Sequence, residues 1–365
     1  MKIVNIFLFA LVVGFTPSIL SAGTFNWVGG GEDTKWSNPA NWSENAAPAA
    51  KEDICVFNVA EDLETVFDLD PKDSPVIEKR GAGKLTLGGE KKYDNTVKTG
   101  SLFLYEGSID LGGGKCIVNQ STDGEAAIAA GSSLFNATVS YSTSYPDGGP
   151  VKGVNLPSGT ITLGKGVELT GNSGQMLSYG TAAVDTRTIV LDGAIWINKA
   201  NVCICGATTS ASTVNDGTYK PTVVELKNGA ELKFSGLNAT VRVGVSFNGV
   251  HSPINGAGAL KVIDSSVVMN GGQLQLNDVD STKSGNNNCY SLVEFDNSTL
   301  TVLGVYNRPN ILTSNRDTAN AAHSYAEVVL KDSTATLWSI NGIQANLFRF
   351  CQTVIRGFSV STVPH

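Results

Sequence analysis

The chain has 365 residues and a formal net charge of −7, and only 16% of its residues are charged, against a usual ~25%. A mildly acidic chain with no basic run excludes nucleic acid as the natural partner, and it lacks the Lys/Arg cluster that would hold it to anionic lipid. Forty glycines and few long runs of helical period argue against a helical bundle; short alternating pieces of Val, Ile, Thr and Leu point to an all-β protein.

The chain opens with Met1 and Lys2, continues with an apolar run from Ile3 to Ile19, and reaches small residues at Ser21, Ala22 and Gly23. A charged start, a greasy middle and a small-residue end read as a secretory signal peptide over 1–22. The run sits near the lower limit of ~17–25 residues for a spanning helix, and Gly14, Thr16, Pro17 and Ser18 interrupt it. The expectation is export to the outside of the cell or to its surface, with no membrane insertion once the leader is removed.

Residues 24–58 hold three of the five tryptophans, Trp27, Trp36 and Trp42, among Gly, Asn, Ser and Pro. Gly29-Gly30-Gly31 permits a tight reversal, and Ser37, Asn38, Pro39 and Asn41 favour local side-chain turns. The following Asp53 to Phe57, "DICVF", reads as a first strand. Two uses fit so many rings in so short a segment. They plug the open end of a core, as the terminal unit of a stacked array must, or they form a sugar-stacking platform, since exposed aromatic clusters mark binding sites.

From 59 to 365 short strands and turns follow one another. From Ile161 onward a pattern recurs: an apolar strand, a turn of Lys, Asp, Asn, Gly or Ser, and a second strand. The residues just before the turn are Leu163, Leu191, Leu226, Val262, Phe295 and Leu330, at intervals of 28, 35, 36, 33 and 35 residues. Local spacing alone also suits an antiparallel β-sandwich. The longer period favours a parallel β-helix, a solenoid in which each coil stacks on the last with an advance of ~4.8 Å, like residues above like. Those six residues are then interior anchors. Val224, Leu226, Leu232 and Phe234 face inward, and Glu225, Lys227, Glu231 and Lys233 face water. Asn228-Gly229, Asp192-Gly193, Asp332-Ser333 and Asn297-Ser298 tolerate left-handed or Asx geometry and align into a ridge of turns. The last segment, "NLFRFCQTVIRGFSVSTVPH" from Asn346, stays strand-like.

The stretch from Asn26 to Asn58 resembles the N-terminal entry of bacterial proteins with autotransporter-associated β-strand repeats. The residues that carry the resemblance are Trp27, Gly29, Gly30, Trp36, Ser37, Asn41, Trp42, Pro48, Asp53, Val56 and Phe57. The later repeats match only in traces, "GKLTLGGE" at Gly83 and "GGQLQLND" at Gly271. The resemblance implies a secreted or surface-displayed right-handed β-helix without catalytic activity, structural or adhesin-like, with extracellular glycans or other surface proteins as its partners.

Glycoside hydrolysis needs two carboxylates some 5–10 Å apart. Asp278 with Asp280, and Asp68, Asp70 and Asp73, are the nearest candidates, and each pattern reads more simply as a solvated acidic turn. The three histidines, His251, His323 and His365, fall in loop-like sequence, and no Gly-x-Ser-x-Gly elbow, phosphate loop or His-Glu-x-x-His occurs. A carbohydrate-active β-helix, lyase-like or glycan-binding, remains the alternative function. The six cysteines, Cys55, Cys116, Cys203, Cys205, Cys289 and Cys351, lack zinc spacing, so no metal and no cofactor is expected, and no catalytic residue is assigned. Five sequons, at Asn41, Asn119, Asn136, Asn238 and Asn297, are expected to stay unmodified in a bacterial setting.

Overall fold

A computed structural model describes residues 23–49, 53–69, 76–88, 96–97, 102–119, 126–142, 154–155, 159–171, 175–176, 187–199, 202–204, 206–208, 222–235, 240–244, 255–271, 273–279, 289–304, 311–315, 325–339, 348–349 and 353–356. The leader over 1–22 lies outside them, as do His251, His323, His365, Cys205, Cys351, Asp70, Asp73, Asp280 and Asn238.

The described chain is a parallel β-helix. Its strands do not fold back on their sequence neighbours; each pairs with the equivalent strand one coil away. Gly159–Leu163 pairs in parallel with Arg187–Asp192, which pairs with Thr222–Lys227, then Asn255–Ile263, Cys289–Asp296, Tyr325–Lys331 and Thr353–Arg356. A second ladder runs beside it from Glu168–Gly171 through Ile195–Asn198, Glu231–Phe234, Ser266–Asn270 and Thr299–Gly304 to Thr334–Ser339. A third runs from Gln175–Met176 through Val202–Ile204, Thr240–Val243, Gln273–Val279 and Ile311–Asn315 to Phe348–Arg349. This parallel pairing overturns the antiparallel sandwich, in which the turn inside each repeat would have to reverse the chain. The exception is a local one: Gly206–Thr208 lies antiparallel to Asn255–Ala257.

The earlier coils have their own ladder, Thr24–Asn26, Ile54–Asn58, Val76–Arg80, Leu102–Leu104, Ala126–Ile128 and Val154–Asn155, all parallel. Its strands alternate along the chain with Leu63–Val66, Lys84–Gly88, Ser108–Asn119 and Ser133–Ser142, which feed into the first two ladders. No α-helix occurs among the described residues; a single 3₁₀ turn spans Pro39–Asn41.

Leu163, Leu191, Leu226, Val262, Phe295 and Leu330 are successive register partners. All six are buried, and with Leu169, Trp196, Leu232, Val267 and Leu300 of the second ladder they belong to one continuous apolar cluster. Alternation explains why: in Thr222–Lys227 the even positions are buried and the odd ones half-buried, because successive side chains point to opposite faces. Each large apolar side chain so enclosed contributes about 1.5–3 kcal/mol, so the interior columns, not the surface, hold the coils together.

The corner between the first two ladders uses the left-handed region. Asn136, Asn228, Asp264, Asn297 and Asp332 have φ between 44° and 56°, and Gly193 has 67°. Asn and Asp visit this region at less cost than other L-residues because their short side chains bond locally. Here they bond to the neighbouring coil: Asn136 Nδ2 donates to Asp110 at 2.7 Å, Asn228 to Asp192 at 2.7 Å and Asn297 to Asp264 at 2.6 Å. In five of the described coils five positions separate the paired interior residues across the corner, as from Leu134 to Val139, Leu191 to Trp196 or Phe295 to Leu300. In two coils, Leu163 to Leu169 and Leu226 to Leu232, there are six. Those two coils also carry Gly166 and Gly229, both at φ 78°, and the register beyond them is unchanged.

Candidate functional site

The tryptophan segment forms a lid on the first coils and extends two of their ladders. Thr24–Asn26 lies parallel to Ile54–Val56. Lys35 bridges in parallel to Val66, with Trp36 N–H donating to the Val66 carbonyl at 3.0 Å and Val66 N–H to the Thr34 carbonyl at 2.9 Å. Between these two edges the chain loops over the end of the core and drops Trp36 and Trp42 into it.

The two rings are 0% and 2% exposed. Trp36 meets Phe67 edge-on at 4.8 Å, Phe57 at 4.9 Å and Trp42 edge-on at 5.6 Å; Trp42 in turn meets Phe57 at 5.6 Å and Phe25 at 6.3 Å. Such tilted contacts suit the ring quadrupole. Both indole N–H groups are used: Trp36 Nε1 donates to Thr65 Oγ1 at 3.0 Å, and Trp42 Nε1 to the Trp36 carbonyl at 2.8 Å. A sugar-stacking role for Trp36 and Trp42 is therefore corrected: neither ring offers a face to solvent. Trp27 is half-buried, stacked on Phe57 at 5.5 Å and edge-on to Trp42 at 5.1 Å, so its ring too is taken up by the aromatic group.

The remaining motif residues hold the lid's backbone. Asn41 is fully buried. Its Oδ1 accepts from Gly31 N–H at 2.8 Å, and its Nδ2 donates to the carbonyls of Asp33 and Lys35, each at 2.9 Å. A Cβ on Gly31 would stand 2.7 Å from Asn41 Oδ1 and 2.5 Å from Asn38 Nδ2, so glycine is required by this close approach. Asp53 accepts from Gly23 N–H at 2.9 Å and Ala49 N–H at 2.8 Å, tying the segment's two ends together. Asp68 accepts from Ser37 N–H at 2.9 Å and from its hydroxyl; that carboxylate is a fastener of the lid. Asp33 accepts from Asn38 Nδ2 at 3.0 Å, and this bond, with that from Lys35 N–H, lowers its pKa. Asn41 of the first sequon has no free amide to carry a glycan.

Beneath the lid, Cys55 is a free, buried thiol whose pKa is pushed well up by burial and by the nearby charge of Asp53. Cys116, Cys203, Cys289 and Asp278 lie within strands. Among the described residues no group of three or more His, Cys, Asp or Glu gathers as a metal site.

Two arrangements escaped the reading of the sequence. Lys79 is an interior residue, 0% exposed, in register between Phe57 and Leu104. Its Nζ donates to the carbonyls of Arg80 at 2.9 Å, Gly81 at 2.6 Å and Glu106 at 3.3 Å, joining two successive corners, and burial holds its pKa below the ordinary lysine value. On the outer side of the same strands, Arg80 pairs with Glu78 at 2.7 Å and places its guanidinium over the Tyr105 ring at 5.3 Å. The Phe103 ring lies within 10° of parallel to that of Tyr105, 6.2 Å away.

Comparison of the chain with protein-family models, with curated proteins and with solved structures finds no match to any of them.

Proposed function

We propose that the chain is an exported, non-catalytic β-helix that serves as a structural or adhesive element on the cell surface or outside the cell. The observation that carries this reading is the unbroken interior column from Leu163 to Leu330 together with a purpose-built lid of Trp36 and Trp42 at the other end of the rod. The fold spends its sequence on length, rigidity and a closed end. Among the described residues several surface charges pair with one another: Lys84 with Asp110, Lys227 with Asp192, Lys331 with Glu294, and Lys233 with Glu231. Such exposed pairs contribute little to stability, ~0–1 kcal/mol each, and set charges of both signs side by side. The apolar leader and the resemblance of the tryptophan entry to autotransporter-associated repeat proteins support export.

The test is to express the full chain in a bacterium and follow it by fractionation and by protease treatment of intact cells. Recovery outside the cytoplasm as a protease-accessible, leaderless rod is the expected result. Retention of the leader in the cytoplasm would overturn it, and so would release of reducing ends or unsaturated products from neutral or acidic polysaccharides.

A further inference from the structure

The tryptophan segment starts at Gly23, and both backbone groups of that residue are engaged. Its N–H donates to Asp53 Oδ1 at 2.9 Å, and its carbonyl accepts from Ile54 N–H at 2.8 Å, which sets it on the first ladder. Asp53 is 4% exposed, and its second carboxylate oxygen accepts from Ala49 N–H at 2.8 Å. A single buried carboxylate thus grips the segment at both ends. A Cβ on Gly23 would stand 2.8 Å from the Phe25 ring, and that ring meets Trp42, so the lid's own aromatic group closes round this residue. In the sequence the same place is the end of the leader, where the small residues Ser21, Ala22 and Gly23 follow the apolar run.

We propose that removal of the leader between Ala22 and Gly23 fastens the lid, the new α-ammonium of Gly23 being held as an ion pair by the carboxylate of Asp53. The proposal rests on the reading of residues 1–22 as a cleaved export signal. Hydrolysis breaks the Ala22–Gly23 amide and consumes one water, whose oxygen goes to the Ala22 carboxylate and whose two protons join the Gly23 nitrogen. A neutral amide with one proton becomes a cation with three. Such a charge-assisted bond is about twice as strong as a neutral one. The nitrogen already lies at hydrogen-bond distance from the carboxylate, so little ordering remains to oppose the pairing. Other titratable groups lie on the elements packed about this end of the strand. Glu44 accepts from Asn26 N–H at 3.3 Å, the Cys55 thiol is kept neutral by burial and by the charges of Asp53 and Glu44, and Glu78 and Arg80 of the next strand pair with each other. Asp53 and Glu44 both favour the protonated amine. An uncut chain has no cation at this place, so the lid is held most firmly on a molecule that has lost its leader.

The chain from Gly23 onward, fused behind a tag that a sequence-specific protease removes to leave Gly23 first, tests the clasp without the cell's export machinery; it keeps every described residue. At about pH 6 the released chain should have a higher urea midpoint than the tagged one. Pairing raises the folded amine above its unfolded pKa of about 7.7–8.0, so the advantage is full below that value and is lost as pH rises through the folded one. The folded pKa should lie about one unit up, a tenfold gain in proton affinity, read by mass spectrometry from the pH dependence of acetylation of the Gly23 amine. Lys79 is common to both forms and cancels in the comparison. Asp53→Asn should abolish the difference between tagged and released chains; if that variant does not fold, acetylation of the wild type decides alone. Equal midpoints at about pH 6, or an amine titrating at or below about 8, overturn the proposal. So does a difference that persists unchanged at about pH 10, which would come from the bulk of the tag and not from charge. N-terminal sequencing of the exported protein should read Gly23 first, and a chain that starts at Thr24 overturns the proposal too. A leader kept on the exported chain defeats the export reading and with it the maturation step, while the ion pair itself stands or falls on the tag experiment.

Discussion

The indole nitrogen of Trp42 donates to the main-chain carbonyl of Trp36 at 2.8 Å, with both residues sealed from solvent. One tryptophan thereby fixes the backbone that positions the other, and the lid closes as a unit. Trp42→Ala removes one ring from the centre of this group, in contact with Phe25, Trp27, Trp36 and Phe57, and leaves the Trp36 carbonyl buried without its donor. A loss of about 3–5 kcal/mol is expected, read from the urea midpoint. Acrylamide quenching should be weak in the wild-type chain and strong in the variant, and the bared end should make the variant associate with itself.

Asn41 offers a finer probe of the same lid. Asn41→Ala leaves Gly31 N–H and the carbonyls of Asp33 and Lys35 without partners, a cost of about 1–3 kcal/mol. Asn41→Asp should be worse, because a carboxylate cannot donate to the two carbonyls and would face them with negative charge. A midpoint for the Asp variant above that of the Ala variant would contradict this geometry.

Leu226 lies in the middle of the anchor column, between Leu191 and Val262. Leu226→Ala should cost about 2–5 kcal/mol, and Leu226→Asp more, since an unpaired carboxylate would enter the core. Lys227→Ala, one residue on and paired only with Asp192 at the surface, should change stability by less than about 1 kcal/mol. Thermal melts of the three variants rank these effects directly.

Lys79 sets a dependence on pH. Its folded pKa is lowered by burial, while in the unfolded chain it keeps the ordinary value of about 10.4. Between those two values the unfolded state binds more protons than the folded one, so stability rises with pH in that window. Below it, the protonated amine is present in both states, and its burial costs stability throughout the neutral and acid range. The rise just below the ordinary lysine value should be seen in urea midpoints of the wild type and should vanish in Lys79→Met.

Much of the architecture was legible because each coil repeats one demand. An inward column tolerates only apolar side chains, so Leu163 to Leu330 recur at nearly fixed intervals, and a left-handed corner selects Asn, Asp or Gly, so the turns betray themselves. Lys79 was also within reach, since in Val76–Arg80 alternation places it on the side of Ile77; a charged residue inside a solenoid is simply not what composition suggests. Tyr105 was not within reach. That the Arg80 guanidinium of the preceding coil lies over its ring is a matter of register that no local pattern carries. The tryptophans could be read as a plug or as a binding surface, and rings read singly do not decide between the two; the burial of Trp36 and Trp42 follows from the loop that Asn41 and Gly31 close.

The corner that spans five residues in some coils and six in others carries a rule for how such a chain changes length. A residue added within a strand inverts every side chain after it, sending the apolar set to water, and is fatal to the coil. A residue added at the corner is swallowed by one more left-handed step, as Gly166 and Gly229 are, and the inside stays inside. Insertions should therefore accumulate along one longitudinal seam of the rod, and peptide tags or grafted epitopes placed after Asn228, Asp264 or Asn297 should be displayed outward in a single file without unsettling the fold.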